Sequence, residues 1–95
     1  MRKVIIDDSF YYYIHGEKPR LLIQTGTHGD EYAVIEIVKK AVEKYENELP
    51  DFIFVPEVSP SAVTKKTRNN WANRDMNRSF FANLDDPEVK ANIEV

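Results

Sequence analysis

The sequence predicts an α/β fold with a mixed, partly parallel sheet, and three consecutive segments carry this prediction. Residues 20–25 contain the unbroken apolar run Leu21-Leu22-Ile23, which is typical of a strand buried on both faces. Residues 30–47 repeat apolar side chains at the helical period, and residues 52–56 begin with a second apolar run. A strand, a helix and a strand in this order predict a βαβ unit with parallel strands and a right-handed crossover.

The segment that precedes this unit is predicted to add further strands. Residues 3–6 and 10–14 are rich in β-branched and aromatic side chains, which favour extended structure or a hairpin. Residues 15–19 contain a glycine and a proline and are interpreted as a turn, with His15 at the surface.

The helix of the unit is predicted from one apolar stripe. Its members recur at the spacing that places them on a single face: Ala33, Val34, Ile37, Val38, Ala41, Val42 and Tyr45. Asp30 and Glu31 fall in the first turn, where negative charge interacts favourably with the helix dipole, and Pro50 ends the segment.

The region from residue 59 to residue 85 shows no clear period, and we interpret it as a long ordered loop. A loop of this length inside a compact domain is usually functional unless it is disordered. A helix is predicted to begin after it, with Asp86 as N-cap and Pro87 at the first helical position.

Length and composition limit the classes of protein that fit. The chain has 95 residues, enough for one domain, and contains no cysteine, which excludes disulfides and cysteine-ligated metals. No apolar run approaches the roughly 20 residues of a membrane helix, and acidic residues come too early for a signal peptide. We therefore expect a cytoplasmic protein without membrane contact. The net charge of −3 argues against nucleic acid as a partner.

The most informative motif, Gly26-Thr27-His28-Gly29-Asp30-Glu31, lies on the turn between the first parallel strand and the helix. His28 and Glu31 can point at one metal ion there, because imidazole nitrogen and carboxylate oxygen both bind zinc at about 2.0–2.2 Å. Ligands of open α/β sheets bind beyond the carboxyl ends of the strands, where this turn lies. The alternative is a polar turn whose acidic residues serve only the helix.

A basic run, Lys65 to Arg78, follows the second parallel strand, and Asp75 is its only acid. A local basic loop in an acidic chain suggests a specific anion site. Asn77 and Arg78 could clamp a carboxylate, and Arg68 could stabilise an oxyanion. Two alternatives stay open: a solvated basic loop in which the acid pairs with an arginine, or a loop that binds phosphate or RNA.

Three motifs in order make the chain resemble a known family. The turn motif of residues 26–31, Ser59-Pro60-Ser61-Ala62 and Asp75-Met76-Asn77-Arg78-Ser79-Phe80 resemble the succinylglutamate desuccinylase/aspartoacylase family of zinc carboxypeptidase-like hydrolases. The resemblance covers residues from about 20 to 81. It implies a three-layer sandwich in which residues 1–95 form the N-terminal half of a zinc-exopeptidase-like catalytic domain.

The resemblance implies a zinc-dependent hydrolase that removes an acyl group from an N-acyl amino acid or a similar small carboxylate, through an amide or ester bond. By similarity, His28 and Glu31 would bind zinc. Arg68 would polarise the scissile carbonyl, with Arg74 as a rival for this role because Arg68 stands further from the third motif than expected.

The third motif carries the implied substrate contacts. By similarity, Asn77 and Arg78 would hold a substrate carboxylate, and Asp75 would support the metal site from behind its ligands. The family usually has Asn at the position of Ser59, so the second motif departs from the pattern.

Two groups that the family uses are missing. Its third zinc ligand, a histidine, and its catalytic glutamate come after the arginine motif, and no histidine follows His28 here. His15 would lie roughly 20 Å away, at the other end of the strand. Four later carboxylates could reach the site in principle: Asp85, Asp86, Glu88 and Glu94. A complementing polypeptide or a homo-oligomer could also supply them.

Two other functions fit the same residues. A non-catalytic module could hold a carboxylate with the arginines and Asn77, without a metal. A zinc carboxypeptidase would share the metal and the clamp but cut peptides.

Overall fold

The computed structural model describes residues 1–80 and 83–95, and one mixed sheet organises them. Its strands are β1 (Arg2–Ile5), β2 (Tyr11–His15), β3 (Leu21–Gln24) and β4 (Phe52–Val55), in the spatial order β1-β2-β4-β3. β3 and β4 are parallel, whereas β2 pairs antiparallel with both β1 and β4. The predicted α/β fold with a mixed, partly parallel sheet is confirmed.

The crossover helix α1 (Tyr32–Tyr45) connects the two parallel strands and begins after a 3-10 turn, Gly29–Glu31. Only part of its apolar stripe is covered within the described chain. Val42 is buried against the sheet, but Ile37 is 67% exposed, although both belong to the same predicted stripe. Periodicity identified the apolar face of the helix but could not show how far it is covered.

Apolar side chains pack on both faces of the sheet. Phe52 and Phe54 are fully buried with Val42 of α1 on one face. Val55 points to the opposite face, because side chains alternate along a strand, and there it packs in a cluster with Val89. The three-layer arrangement of a whole exopeptidase-like domain stays a prediction.

The region predicted as a long loop contains a short helix, and that part of the prediction is wrong. Helix α2 (Pro60–Lys65) begins after Ser59, and a 3-10 turn spans Met76–Arg78. Six residues are too few to show a helical period, but proline at the first position was a valid start signal. Part of this region, residues 81 and 82, lies outside the described residues.

The last helix, α3 (Pro87–Glu94), starts where the sequence predicted it. Asp86 caps it by accepting a hydrogen bond from the Glu88 backbone N–H at 2.9 Å. Among the helices that the structure describes, none combines the length and the apolar character needed to cross a membrane.

His15 belongs to β2 and is held there, which corrects its interpretation as a surface turn residue. Its Nδ1 lies 2.8 Å from Glu46 Oε2, and its ring stacks on Phe52 with centroids 5.3 Å apart. His15 pairs with Phe52 at the amino end of β4, which lies beside the amino end of the parallel strand β3. The turn that contains His28 follows the carboxyl end of β3. His15 and His28 therefore lie at opposite ends of the sheet.

Glu46 contributes a pH-dependent part of the stability. The N-terminal ammonium of Met1 and the ring of His15 both hydrogen-bond to its carboxylate, and the Met1 contact is the larger cause of a pKa below the usual 4.5. The folded protein therefore binds this proton less tightly than the unfolded chain. The stabilisation is complete above 4.5 and is lost as the pH falls through the folded pKa.

We expect Glu46→Gln to lower the free energy of unfolding at neutral pH, with a difference from wild type that shrinks in acid and disappears below the folded pKa. Urea unfolding between about pH 7 and pH 3 measures this difference. Glu48→Gln, an exposed neighbour, is the matched control and should show no such trend. A Glu46→Gln difference that stays constant over the range would contradict the interpretation.

Candidate metal and carboxylate site

The loops that follow the two parallel strands are joined by backbone hydrogen bonds. Val58 N–H donates to Thr25 O and Ser59 N–H donates to Gly26 O, each at 3.0 Å. Gly26 has a φ of 70°, and a Cβ there would lie 2.7 Å from Pro56 O. Only glycine adopts this backbone easily at such a close approach, so it brings the two loops to one edge of the sheet.

The turn between His28 and Glu31 rests directly on α2. Gly29 is buried, and a Cβ on it would lie 1.8 Å from the backbone oxygen of Ala62. Backbone cannot move aside as a flexible side chain can, so no larger residue fits without displacing the turn or the helix. The helix thereby fixes the positions from which both side chains project.

His28 and Glu31 present two ligand atoms at a separation that suits zinc. His28 Nδ1 lies 3.5 Å from Glu31 Oε1. Two ligands at tetrahedral zinc, each about 2.0–2.1 Å from the metal, are about 3.4 Å apart. The distance between the two atoms therefore matches that between two ligands of a zinc tetrahedron. His28 is largely buried and Glu31 is exposed, so the pair opens to solvent on the glutamate side.

Asp75 holds the other side of the His28 ring. Its Oδ1 lies 2.8 Å from His28 Nε2 and accepts a hydrogen bond from Asn77 N–H at 3.0 Å. The hydrogen bond from His28 is the main cause that lowers the pKa of Asp75, with help from Asn77 and the charge of Arg68. An ionised carboxylate only accepts, so the ring donates to Asp75 through Nε2, and Nδ1 is the ring nitrogen that faces Glu31.

The predicted substrate residues surround the same carboxylate. Arg68 Nη2 lies 3.7 Å and Arg78 Nε 4.0 Å from Asp75 Oδ2, distances of electrostatic attraction rather than hydrogen bonding. Both guanidinium groups are mostly exposed and open to an anion, and the side chain of Asn77 is exposed beside them. The structure thus brings together the six residues singled out from the sequence: His28, Glu31, Arg68, Asp75, Asn77 and Arg78.

The rival arginine is engaged elsewhere. Arg74 Nη1 lies 3.3 Å from Asp86 Oδ2, and the Asp86 side chain is fully buried. Asp85 Oδ1 lies 4.0 Å from the same nitrogen of Arg74. This geometry favours Arg68 over Arg74 for a role beside His28.

No third metal ligand is grouped with the pair in the described parts of the chain. Within residues 1–80 and 83–95, no set of three or more histidine and carboxylate side chains could hold a metal. Of the four later carboxylates, Asp86 and Glu88 are buried and accept hydrogen bonds at the start of α3.

Several residues that shape the site were missed by sequence reasoning. Gly29 was part of a motif, but its contact with α2 follows only from tertiary packing. Asn70 is buried, and its side-chain oxygen accepts hydrogen bonds from Ala72 N–H and Arg74 N–H, each at 3.0 Å. An asparagine before a turn was the available signal, since its side chain often bonds the backbone a few residues on.

The family assignment follows from a comparison of the sequence with protein-family models. The model of the succinylglutamate desuccinylase/aspartoacylase catalytic domain matches residues 17–94. The α/β fold fits this class of hydrolase domain, and the chain belongs to this family. Searches of curated proteins and of solved structures found no match.

Gly29→Ala is expected to lower the free energy of unfolding by at least about 2 kcal/mol, because the added methyl overpacks against backbone. Asp30→Ala on the same turn is exposed and should cost less than about 1 kcal/mol. Urea unfolding followed by circular dichroism compares the two variants. A Gly29→Ala protein as stable as the wild type would show that the turn is not seated on α2.

Proposed function

We propose that this chain serves zinc-dependent hydrolysis that removes an acyl group from an N-acyl amino acid or a similar small carboxylate. The observation that carries the proposal is the His28–Glu31 pair, whose ligand atoms lie 3.5 Å apart. Asp75 supports the pair by accepting the Nε2 hydrogen bond of the ring at 2.8 Å. Outer hydrogen bonds of this kind orient metal-ligating histidines and raise their basicity.

The roles of the chain's own residues follow from their placement. Zinc, when bound, supplies Lewis-acid activation of water and of the scissile carbonyl at neutral pH. Arg68 donates to the carbonyl oxygen as negative charge develops on it, which lowers the barrier most in a site that excludes water. Arg78 and Asn77 hold the substrate carboxylate and so fix the acyl group relative to the metal pair.

We propose that a complementing polypeptide supplies the third ligand and the general base. Catalytic zinc sites usually have three protein ligands, and the residues that the structure describes group two here. A second copy is a poorer source, because its only other histidine, His15, is bound to Glu46 and stacked on Phe52. In the described sheet β3 is an edge strand, and His28 follows its carboxyl end, so a polypeptide along this edge would reach the site.

Apolar surface supports the same proposal. Between β3 and α1 lies a groove of about 340 Å³, lined by Ile23, Ile37, Val38, Ala41, Tyr45 and Leu49. An exposed strand edge beside exposed apolar side chains is a typical surface for pairing with another chain.

A carboxylate-binding module without metal is the second candidate. It is favoured by the exposed guanidinium groups of Arg68 and Arg78, which face one carboxylate without hydrogen bonding to it. An arginine fork binds a ligand carboxylate bidentately, and this needs no metal.

We expect the isolated chain to bind one zinc ion weakly, in the micromolar range, because it provides two protein ligands. His28→Ala should abolish the binding. His15→Ala is the matched control, since it removes the other histidine, and it should leave binding unchanged. Isothermal titration calorimetry with zinc measures all three proteins. Absence of zinc binding at micromolar concentrations would favour the module without metal.

Arg78→Ala is expected to weaken the binding of N-acyl amino acids at least about tenfold, because a charged hydrogen-bond partner is lost. The affinity of Arg78→Lys should lie between those of the wild type and Arg78→Ala, since lysine keeps the charge but not the planar fork. Arg20→Ala is the control, because Arg20 is exposed before the amino end of β3. Equal affinity of the Arg78→Ala and wild-type proteins would remove the clamp role.

A further inference from the structure

The start of α3 carries a buried carboxylate with an unusual set of partners. Glu88 is 8% exposed, and its side chain accepts three hydrogen bonds. Ser59 Oγ donates to Oε1 at 2.8 Å, and Ser61 donates through Oγ to Oε1 at 2.9 Å and through its backbone N–H to Oε2 at 2.7 Å. A buried charge requires such compensation, and every one of these donors lies at the beginning of α2.

The same end of α2 supports the metal turn. Ser59 links Glu88 to this turn, because its N–H donates to Gly26 O at 3.0 Å while its hydroxyl donates to the glutamate. Ala62, one turn further along, is the residue on which Gly29 rests. A shift of α2 would therefore move the backbone on both sides of His28.

A second carboxylate at the start of α3 holds the other half of the site. Asp86 accepts hydrogen bonds from Asn70 Nδ2 at 2.8 Å and from Arg74 Nη1 at 3.3 Å. The side-chain oxygen of Asn70 in turn accepts a hydrogen bond from the backbone N–H of Arg74, the residue that precedes Asp75. Asp86 thus fixes the segment that brings Asp75 to the His28 ring.

We propose that Glu88 is a positioning residue for the metal pair, acting through α2, and that Asp86 is the corresponding positioning residue for Asp75. Neither touches the metal pair: Glu88 positions the turn that carries the pair, and Asp86 positions the carboxylate behind the His28 ring. The proposal rests on the proposed function in so far as the pair binds zinc. The start of α3 would then set the distance between the His28–Glu31 turn and the carboxylate behind it.

Glu88→Gln tests the first half of the proposal. Glutamine keeps the shape but loses the charge and has one accepting oxygen instead of two, so it cannot accept from Ser61 N–H and from the two serine hydroxyls at the same time. We expect about tenfold weaker zinc binding, at the low end of the effects seen for residues behind metal ligands. Glu94→Gln, an exposed glutamate of the same helix, is the matched control and should bind zinc like the wild type.

A metal-free measurement separates this proposal from the proposed function. Nitrogen-15 NMR of the metal-free chain reports the ring nitrogens of His28 and the amide of Gly29. Glu88→Gln should shift both signals, and Glu94→Gln should shift neither. Asp86→Asn, which can still cap α3, should shift the ring nitrogen that faces Asp75 more than the Gly29 amide.

The outcomes are distinct. If the wild type binds no zinc but Glu88→Gln shifts the His28 and Gly29 signals, the proposed function fails and the positioning role stands. If Glu88→Gln only lowers the melting temperature and leaves zinc affinity and both signals unchanged, Glu88 is merely structural and the inference is overturned. Should Glu88→Gln not fold, Ser59→Ala removes one donor alone and should shift the same signals to a smaller extent.

Discussion

The site depends on one carboxylate, that of Asp75, which lies where two distant segments meet. Its Oδ1 accepts hydrogen bonds from the ring of His28 and from the backbone N–H of Asn77. Its Oδ2 faces the guanidinium groups of Arg68 and Arg78. Without this negative charge, the guanidinium groups of Arg68 and Arg78 would lose the carboxylate that both of them face. The carboxylate therefore holds the His28 ring and keeps the two guanidinium groups close to it.

The βαβ unit explains why these segments meet at all. Parallel strands end at the same edge of a sheet, so the loops after β3 and β4 become neighbours however far apart they are in sequence. Glycines at positions 26 and 29 let those loops touch through backbone. The geometry of the candidate site thus depends on close main-chain packing of these loops, from which the polar side chains project.

The sequence was sufficient to predict those elements whose structure depends on residues close together in the chain. Strands β3 and β4, the helix between them and the cap of α3 follow from local periodicity and end signals. The predicted burial of β3 on both faces is wrong, because β3 is an edge strand of the described sheet and Leu22 is 55% exposed. Helix α2 is shorter than a periodic window, and the burial of Glu88 follows from partners 27 and 29 residues away. The contact between His28 and Asp75 spans 47 residues, so only the family resemblance suggested it.

The edge position of β3 has an electrostatic consequence for the residues at its tip. Water now reaches Glu31 and the arginines freely, and it screens the charges that would act on a substrate. A chain that covers this edge would lower the local dielectric constant around His28 and strengthen every charged contact there. Under the proposed function, assembly with such a chain and chemical competence would then be gained in a single event.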